Sequence, residues 1–261
     1  MTDNNVTPTP WTQLRNLTSA RIALGRAGSS LPTAPHLEFQ MSHARARKAV
    51  HLELDVAALG EQLAPLGLPV LNLSSAADNR AIYLQRPDLG RRLAPASRAQ
   101  LTPSVGGVDL AIVIGDGLSA LAIQTNAVPF LTLVMPMLAS QGLSLGSISI
   151  VTQARVAVGD EIGTALGARM VLVLIGERPG LSSPDSMGLY LTHGPYEKLT
   201  DEARNCISNV RAMGLSYPEA AQKLIFLLHQ ARKLGMTGVN VKDEAEALAT
   251  TEKRPNFLIS G

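Results

Sequence analysis

Three short and almost wholly apolar runs stand in the second half of the chain, at residues 110–115 (LAIVIG), 147–152 (SISIVT) and 170–176 (MVLVLIG). Apolar runs of this length are typical of strands that are buried on both faces of a sheet. Helical stretches at 128–141 and 159–168 separate them. The pattern therefore predicts the order β-α-β-α-β and a parallel sheet with helices on both faces.

Two later segments extend this architecture. Residues 190–194 (YLTHG) can add a strand, and residues 217–233 form an amphipathic pattern with Pro218 in a first helical turn, where proline is tolerated. The longest apolar stretch, residues 127–139, is shorter than the roughly 20 residues that span a bilayer. We therefore expect a buried helix there and no membrane association.

The front of the chain has a different pattern. Residues 11–27 predict a helix that ends at Gly28 and docks either on its own domain or on a partner. The prolines of residues 31–36 indicate a linker. Histidines and basic residues are dense over 43–51, but no H-x-x-x-H pair is present, so we expect a solvated helix face and no metal site.

The fold class predicted from these patterns is α/β. We expect a Rossmann-like parallel sheet with helices on both faces in residues 101–261, preceded by a mainly helical region in residues 1–100. Charge supports this division, because residues 1–100 carry 11 Lys and Arg against 7 Asp and Glu, whereas the remainder carries 12 against 14.

Composition excludes several classes of protein. With 46% hydrophobic and 17% charged residues the chain is not disordered, and a formal charge of +2 with 3% aromatic residues argues against nucleic-acid binding. The single cysteine, Cys206, excludes an internal disulfide framework. The polar N-terminus has no signal-peptide pattern, so we expect a cytoplasmic location.

Polar residues follow each predicted strand, in GDGLSA (residues 115–120), TQARV (152–156) and GERPGL (176–181). The carboxyl ends of parallel strands share one edge, where open α/β sheets bind ligands. GDGLSA matches a dinucleotide fingerprint, but the second strand ends without the expected carboxylate. Asp116 either accepts hydrogen bonds from a ligand or caps the next helix.

Glu177 and Arg178 stand side by side after the third strand. Glu177 can accept hydrogen bonds from a ligand, or the two residues can pair with each other and brace the loops. The sequence has no Walker, C-x-x-C or H-E-x-x-H motif, and we assign no catalytic or metal-binding residue. This pattern favours a chain that holds part of a cofactor while another chain performs the chemistry.

Five sequence blocks together resemble the small (light) subunit of ethanolamine ammonia-lyase. They are LGRAG at 24–28, YLQRPDLGRRL at 83–93, GDGLS at 115–119, GERPGL at 176–181 and CISN at 206–209. They occur in the order of the family and extend from near the N-terminus to Asn209, so the resemblance spans most of the chain.

The resemblance implies adenosylcobalamin chemistry, in which homolysis of the cobalt–carbon bond leads to conversion of ethanolamine to acetaldehyde and ammonia. It places the substrate-binding and radical-handling residues in a large subunit with a TIM-barrel fold, and the small subunit over the corrin at their interface. The family's cobalamin contacts fall on Val156, Glu177 and Cys206. The surface for the large subunit is expected in the Arg-rich first half, which includes Arg26, Arg86, Arg91 and Arg92.

Two alternatives to this hypothesis stay open. One is a stand-alone α/β enzyme that binds a nucleotide cofactor at GDGLSA, and the other is a purely structural assembly subunit. The resemblance also bears on location, because family members of the ethanolamine microcompartment can carry a longer N-terminal extension. The short polar lead before Trp11 argues against encapsulation, so the microcompartment is the less favoured location. The stretch after about Val239 is expected to be a solvated helix or tail.

Overall fold

A computed structural model describes residues 5–103 and 106–241. These residues form a six-stranded sheet with helices on both sides. The strands are β1 (Val70–Ser74), β2 (Val108–Gly115), β3 (Leu145–Thr152), β4 (Ala168–Gly176), β5 (Met187–His193) and β6 (Asn205–Val210). The described helices are α1 (Thr33–His51), α2 (Val56–Leu63), α3 (Arg80–Gln85), α4 (Pro95–Arg98), α5 (Ala120–Ser140), α6 (Val158–Leu166) and α7 (Tyr217–Leu234).

The strand order is β1-β3-β2-β4-β5-β6. The pairs β1–β3, β3–β2 and β2–β4 are parallel, which confirms the predicted core of the sheet. The pairs β4–β5 and β5–β6 are antiparallel, so the sheet is mixed. Strand β1 comes from the first hundred residues and joins the same sheet; the predicted division into two domains stays a prediction.

Alternation along the strands separates two apolar cores. Leu110, Ile112 and Ile114 of β2 face one core, which also contains α5, α7 and α2. Ala111 and Val113 face the other core, to which α6 contributes its apolar side. Successive side chains of a strand point to opposite faces, so a strand of continuous apolar residues supports helices on both sides. This confirms the predicted coverage of both faces.

Helix α5 begins at Ala120, eight positions before the predicted start at 128, because the side chain of Ser119 accepts a hydrogen bond from the amide of Ala122 and caps the helix. By length and composition α5 resembles a membrane-spanning helix. However, Phe130 and Leu131 are fully buried in the core, as expected for a core helix of a soluble fold.

Two expectations for the front of the chain are wrong. The predicted helix over 11–27 is a short 3-10 helix at Thr12–Leu17, and Thr18 then adopts an extended conformation. Most helices in proteins are stabilised by burial of an apolar face. Here the apolar side chains do not pack on a core, because Trp11 and Leu17 are 65% and 61% exposed.

The expected linker at 31–36 is instead the start of α1, which begins at Thr33. Pro32 occupies the N-cap and Pro35 the first turn, where the helix needs no donor from the backbone. The expected solvated face of 43–51 lies on this helix, and His43, Arg45 and Arg47 are not buried. The predicted C-terminal helix or tail lies outside the described residues from 242 onward.

Candidate functional site

The loops after β2 and β4 are packed tightly against each other. The amide of Leu118 donates to the carbonyl of Gly176 at 2.9 Å. A Cβ atom on Gly117, which has φ +57°, would lie 2.2 Å from the same carbonyl, and a Cβ on Gly176 would lie 2.1 Å from the carbonyl of Ser119. The glycines of GDGLSA therefore allow two loops of this chain to meet, and the protein's own backbone fills the space next to them.

Asp116 is buried beneath these loops and does not cap α5. Its carboxylate accepts hydrogen bonds from the amides of Gln153 and Ala154, both at 2.9 Å. The guanidinium of Arg80 lies 3.5 Å from the same carboxylate and donates to the carbonyl of Gly117 at 2.7 Å. Asp116 thus fixes the loop after β3 to the end of β2, and the expectation that it caps the next helix is wrong.

A buried tyrosine holds the loop that leads to Val156. The hydroxyl of Tyr83 donates to the carbonyl of Ala154 at 2.9 Å. The guanidinium carbons of Arg80 and Arg155 lie 4.8 Å and 4.4 Å from the centre of its ring. Gly90 allows this arrangement, because a Cβ there would lie 2.8 Å from the ring. Cation–π contacts of this kind stabilise a desolvated site.

Glu177 follows β4 and reaches across β5 toward β6. One carboxylate oxygen accepts a hydrogen bond from the hydroxyl of Ser208 at 2.5 Å. The other accepts from the hydroxyl of Ser186 at 2.5 Å and from the amide of Asn209 at 3.2 Å. Glu177 is half-buried, and its donors are neutral groups of β6 and of Ser186, the residue before β5. The suggested bracing pair with Arg178 does not occur among the ion pairs of the described residues.

Cys206 lies beside this carboxylate on β6 and is exposed. It stands opposite Tyr190 of β5 in the strand register, and the two side chains share a hydrogen bond. Partial burial of the thiol against its neighbours raises the pKa of Cys206, and the nearby charge of Glu177 adds to this effect. Burial likewise raises the pKa of Tyr190. Both groups are therefore neutral near pH 7.

Val156 lies in the turn before α6, half-buried against the same apolar core as Tyr190. Alternation in β5 and β6 places Tyr190 and Cys206 on this side of the sheet as well, and Glu177 lies over Gly188 between them. The three predicted contact residues therefore lie on the same face of the sheet, with Val156 after β3, Glu177 after β4 and Cys206 on β6. We call the surface formed by Val156, Glu177, Tyr190 and Cys206 the edge face.

A buried ion pair connects the two ends of the edge face. Arg204, two residues before Cys206, pairs with Asp160 in the first turn of α6, four residues after Val156. Arg204 also donates to the carbonyls of Thr200 at 2.6 Å and Leu199 at 3.2 Å. Burial raises the pKa of Asp160 to about 6, although the charge of Arg204 opposes this shift.

Sequence reasoning missed Tyr190, Ser186 and Ser208, which surround two of the predicted residues. Period-2 alternation in the predicted strand at 190–194 would have placed Tyr190 on a face, but the two serines carried no signal because their partner is distant in sequence. In the described parts of the chain, no group of three or more His, Cys, Asp and Glu side chains is arranged to hold a metal ion.

Comparison with known proteins connects this geometry to a family. The family model described as ethanolamine ammonia-lyase light chain matches residues 8–242. This chain belongs to that family. The light chain is 59% identical over 244 residues to the ethanolamine ammonia-lyase small subunit of Azotobacter vinelandii, covering 92% of this chain and 90% of that protein.

Two further small subunits are similar over almost their whole length. That of Ralstonia nicotianae is 55% identical over 263 residues, covering 99% of this chain and 97% of the relative. That of Pseudomonas fluorescens is 54% identical over 260 residues, covering 96% and 94%. The resemblance found from five sequence blocks is thereby confirmed. The light chain is a subunit of a lyase named for ethanolamine, and the name small subunit implies a larger partner.

Proposed function

We propose that this light chain holds adenosylcobalamin against the large subunit of ethanolamine ammonia-lyase, with the edge face covering the corrin. The observation that supports this most is the position of Glu177, a carboxylate fixed by neutral donors at an accessible sheet edge next to exposed Cys206. The family membership supplies the reaction, and the edge face supplies a surface for a large ligand.

The chemistry of the edge face fits the cofactor. The corrin ring carries neutral amide side chains, which require hydrogen-bond acceptors, and a flat apolar surface, which requires close packing. Glu177 offers the acceptor, while Val156 and the neutral Cys206 offer packing. Gly188 leaves space for the side chain of Glu177, because a Cβ atom at position 188 would lie 3.0 Å from its carboxylate.

Holding and orientation are the roles of this chain in the proposed mechanism. When bound, adenosylcobalamin supplies the radical chemistry that deaminates ethanolamine. Glu177 would accept hydrogen bonds from the amide side chains of the bound cofactor and so help to orient it. Val156 and Cys206 exclude water from the covered surface. We assign no catalytic residue to this chain, and substrate-handling groups belong to the large subunit, which we propose to be a TIM barrel.

The front of the chain supplies the proposed contact with the large subunit. Residues 5–51 carry six Lys and Arg side chains and one acidic side chain, Glu38. Large apolar side chains are exposed in the same region at Trp11, Leu17, Leu37 and Met41. Exposed apolar groups in such number mark an interaction surface. The excess of positive charge disfavours pairing with a second copy of this region and favours an acidic partner surface.

This front surface is connected to the loop that follows Glu177. Arg21 donates to the hydroxyl of Ser42 in α1 at 2.6 Å, and to Ser182 and the carbonyl of Leu181 at 3.3 Å and 3.4 Å. A large subunit bound along the front of the chain would therefore adjoin the edge face.

The predicted arginines Arg26, Arg86, Arg91 and Arg92 are exposed and are included in the proposed surface. Two of them make surface ion pairs, Arg86 with Asp88 at 2.7 Å and Arg91 with Asp201 at 4.0 Å. Exposed pairs of this kind contribute little to stability, so they leave these side chains available to a partner.

Reconstitution tests the proposal. The light chain is mixed with the large subunit and adenosylcobalamin, and acetaldehyde is measured with ethanolamine as substrate. We expect turnover from the mixture and none from either chain alone. After desalting, the absorbance spectrum of the complex should show retained cobalamin, and Glu177→Ala should weaken that retention. Full activity of the large subunit alone would refute the proposal.

The two alternatives are tested in the same material. A nucleotide enzyme requires space at GDGLSA, where backbone of this chain already packs against Gly117. Calorimetric titration with a dinucleotide should therefore give no heat of binding at micromolar concentrations. A structural assembly subunit would tolerate Glu177→Ala with unchanged turnover and cobalamin retention. We propose a cytoplasmic location and no contact with membranes or nucleic acids.

A further inference from the structure

Groups of neighbouring strands hold the carboxylate of Glu177 in place, but the pairing of these strands does not depend on the carboxylate. Its side chain leaves the end of β4, crosses Gly188 of β5 and ends at β6. The backbone amide of Glu177 donates to the carbonyl of Ser186 at 2.9 Å, which aligns the residue with β5. None of the contacts of the Glu177 side chain lies in the apolar core on the opposite face of the sheet. They all belong to the edge face.

Strand β6 is distorted where it meets the carboxylate. The register between β5 and β6 shifts after Met187, and Asn209 has φ +61°, a conformation that residues other than glycine seldom adopt. The distortion directs the amide of Asn209 at Glu177. Bulges that redirect a group at a sheet edge are common beside functional sites.

Three neutral donors now occupy three of the roughly four acceptor positions of the carboxylate. Among the ion pairs of the described residues, none involves Glu177, so its negative charge is not neutralised by a cation. The carboxylate therefore has one acceptor position left for a further donor. The three bound donors determine the direction of that free position. The hydroxyls of Ser186 and Ser208 bind opposite oxygens and together prevent rotation of the group.

We propose that Ser186 and Ser208 are positioning residues that aim the Glu177 carboxylate at an amide of the bound cobalamin. The inference rests on the proposed function, since Glu177 is the group through which the two serines act. Neither serine needs to touch the cofactor. Loss of the hydroxyls leaves the charge in place and removes its orientation, which lowers affinity for a rigid, directional donor.

The test measures cobalamin affinity of the reconstituted two-subunit complex by absorbance titration with adenosylcobalamin. The variants are Ser186→Ala with Ser208→Ala, Glu177→Gln, and all three changes together. Ser140→Ala is the matched control, because its hydroxyl bonds the carbonyl of Met137 at an exposed helix end. Circular dichroism of each complex establishes that the variants are folded.

We expect the double serine variant to weaken binding about tenfold, the loss that corresponds to about 1.4 kcal/mol. In the Glu177→Gln background the same two changes should add less than about twofold, because the group they orient has been replaced. Ser208→Thr, which keeps a hydroxyl, should restore most of the affinity lost in Ser208→Ala.

Three outcomes would overturn the inference. If Glu177→Gln weakens binding and the double serine variant does not, the positioning role is wrong and the cobalamin contact of Glu177 stands. If the serine changes have the same effect with and without Glu177, they act on the fold and not through the carboxylate. If Glu177→Gln binds cobalamin like the unmodified complex, the proposed contact fails and the inference fails with it.

Discussion

Replacement of Asp116 by Ala should destabilise the fold by about 3–6 kcal/mol. The carboxylate accepts two buried amide hydrogen bonds of 2.9 Å, from Gln153 and Ala154. Each buried donor left without a partner costs about 1–3 kcal/mol. The contact of 3.5 Å with Arg80 would also be lost, which leaves that guanidinium short of a partner in a mostly buried position. The total is a large part of the stability of an ordinary domain.

Thermal unfolding of the full chain, followed by circular dichroism, measures the effect. For a chain of this size we expect the melting temperature to fall by about 6–20 °C. Asp116→Asn should also destabilise, because its amide group would face a backbone donor. The control is Asp88→Ala, which removes an exposed pair with Arg86 and should change stability by less than about 0.5 kcal/mol.

A fall of less than about 2 °C for Asp116→Ala would show that the carboxylate is dispensable to the loops. The reasoning would then be wrong, and the interpretation of Asp116 as a ligand acceptor at GDGLSA would regain support.

The remaining predictions concern the groups around the edge face. Tyr83→Phe leaves the buried carbonyl of Ala154 without its donor and should cost about 1–2 kcal/mol in urea unfolding, whereas an unchanged midpoint would contradict the contact. Gly176→Ala places a Cβ 2.1 Å from the carbonyl of Ser119 and should destabilise by about 3 kcal/mol, visible as a lower denaturant midpoint. The folded-state pKa of Asp160, about 6, lies above its unfolded value, so its stabilising contribution is complete below about pH 4 and is lost as the pH rises through 6. The melting temperature of Asp160→Asn relative to the unmodified chain should therefore rise between pH 4.5 and 7.5, and a constant difference would refute the shifted pKa.

Sequence patterns predicted the centre of the fold well because burial on both faces leaves a strong signal. Strands β2, β3 and β4 are continuous apolar runs, and their predicted bounds differ from the observed ones by two residues or fewer at each end. The parallel order followed from the helices between them. Strand β1 gave no such signal, since Asn72 is exposed and Val70 and Leu71 are half-buried.

The front of the chain was predicted poorly for a related reason. An amphipathic pattern predicts a helix on the assumption that a core covers its apolar side, but Leu14, Leu17 and Ile22 are exposed in this chain. Conversely, the prolines at 32 and 35 suggested a linker where they occupy the start of α1. A local pattern predicts that a segment has an apolar side. It does not predict whether that side packs on the core of the same chain or stays exposed.

For the candidate site, the sequence identified residues and not their arrangement. Glu177 was nominated from its place after a buried strand, and that position holds. Its partners Ser186 and Ser208 depend on an antiparallel pairing and a bulge that no short motif encodes. The roles of Val156, Glu177 and Cys206 toward cobalamin stay predictions.

The antiparallel connection of β4, β5 and β6 has a consequence for how the edge face is acquired during folding. Glu177, its two serine donors and Cys206 all lie between residues 177 and 208 and meet through neighbouring strands. Contacts between segments close in sequence require little loop-closure entropy and form early. The front of the chain is needed for none of these hydrogen bonds. These contacts of the edge face can therefore form in a newly made chain before it meets a partner subunit.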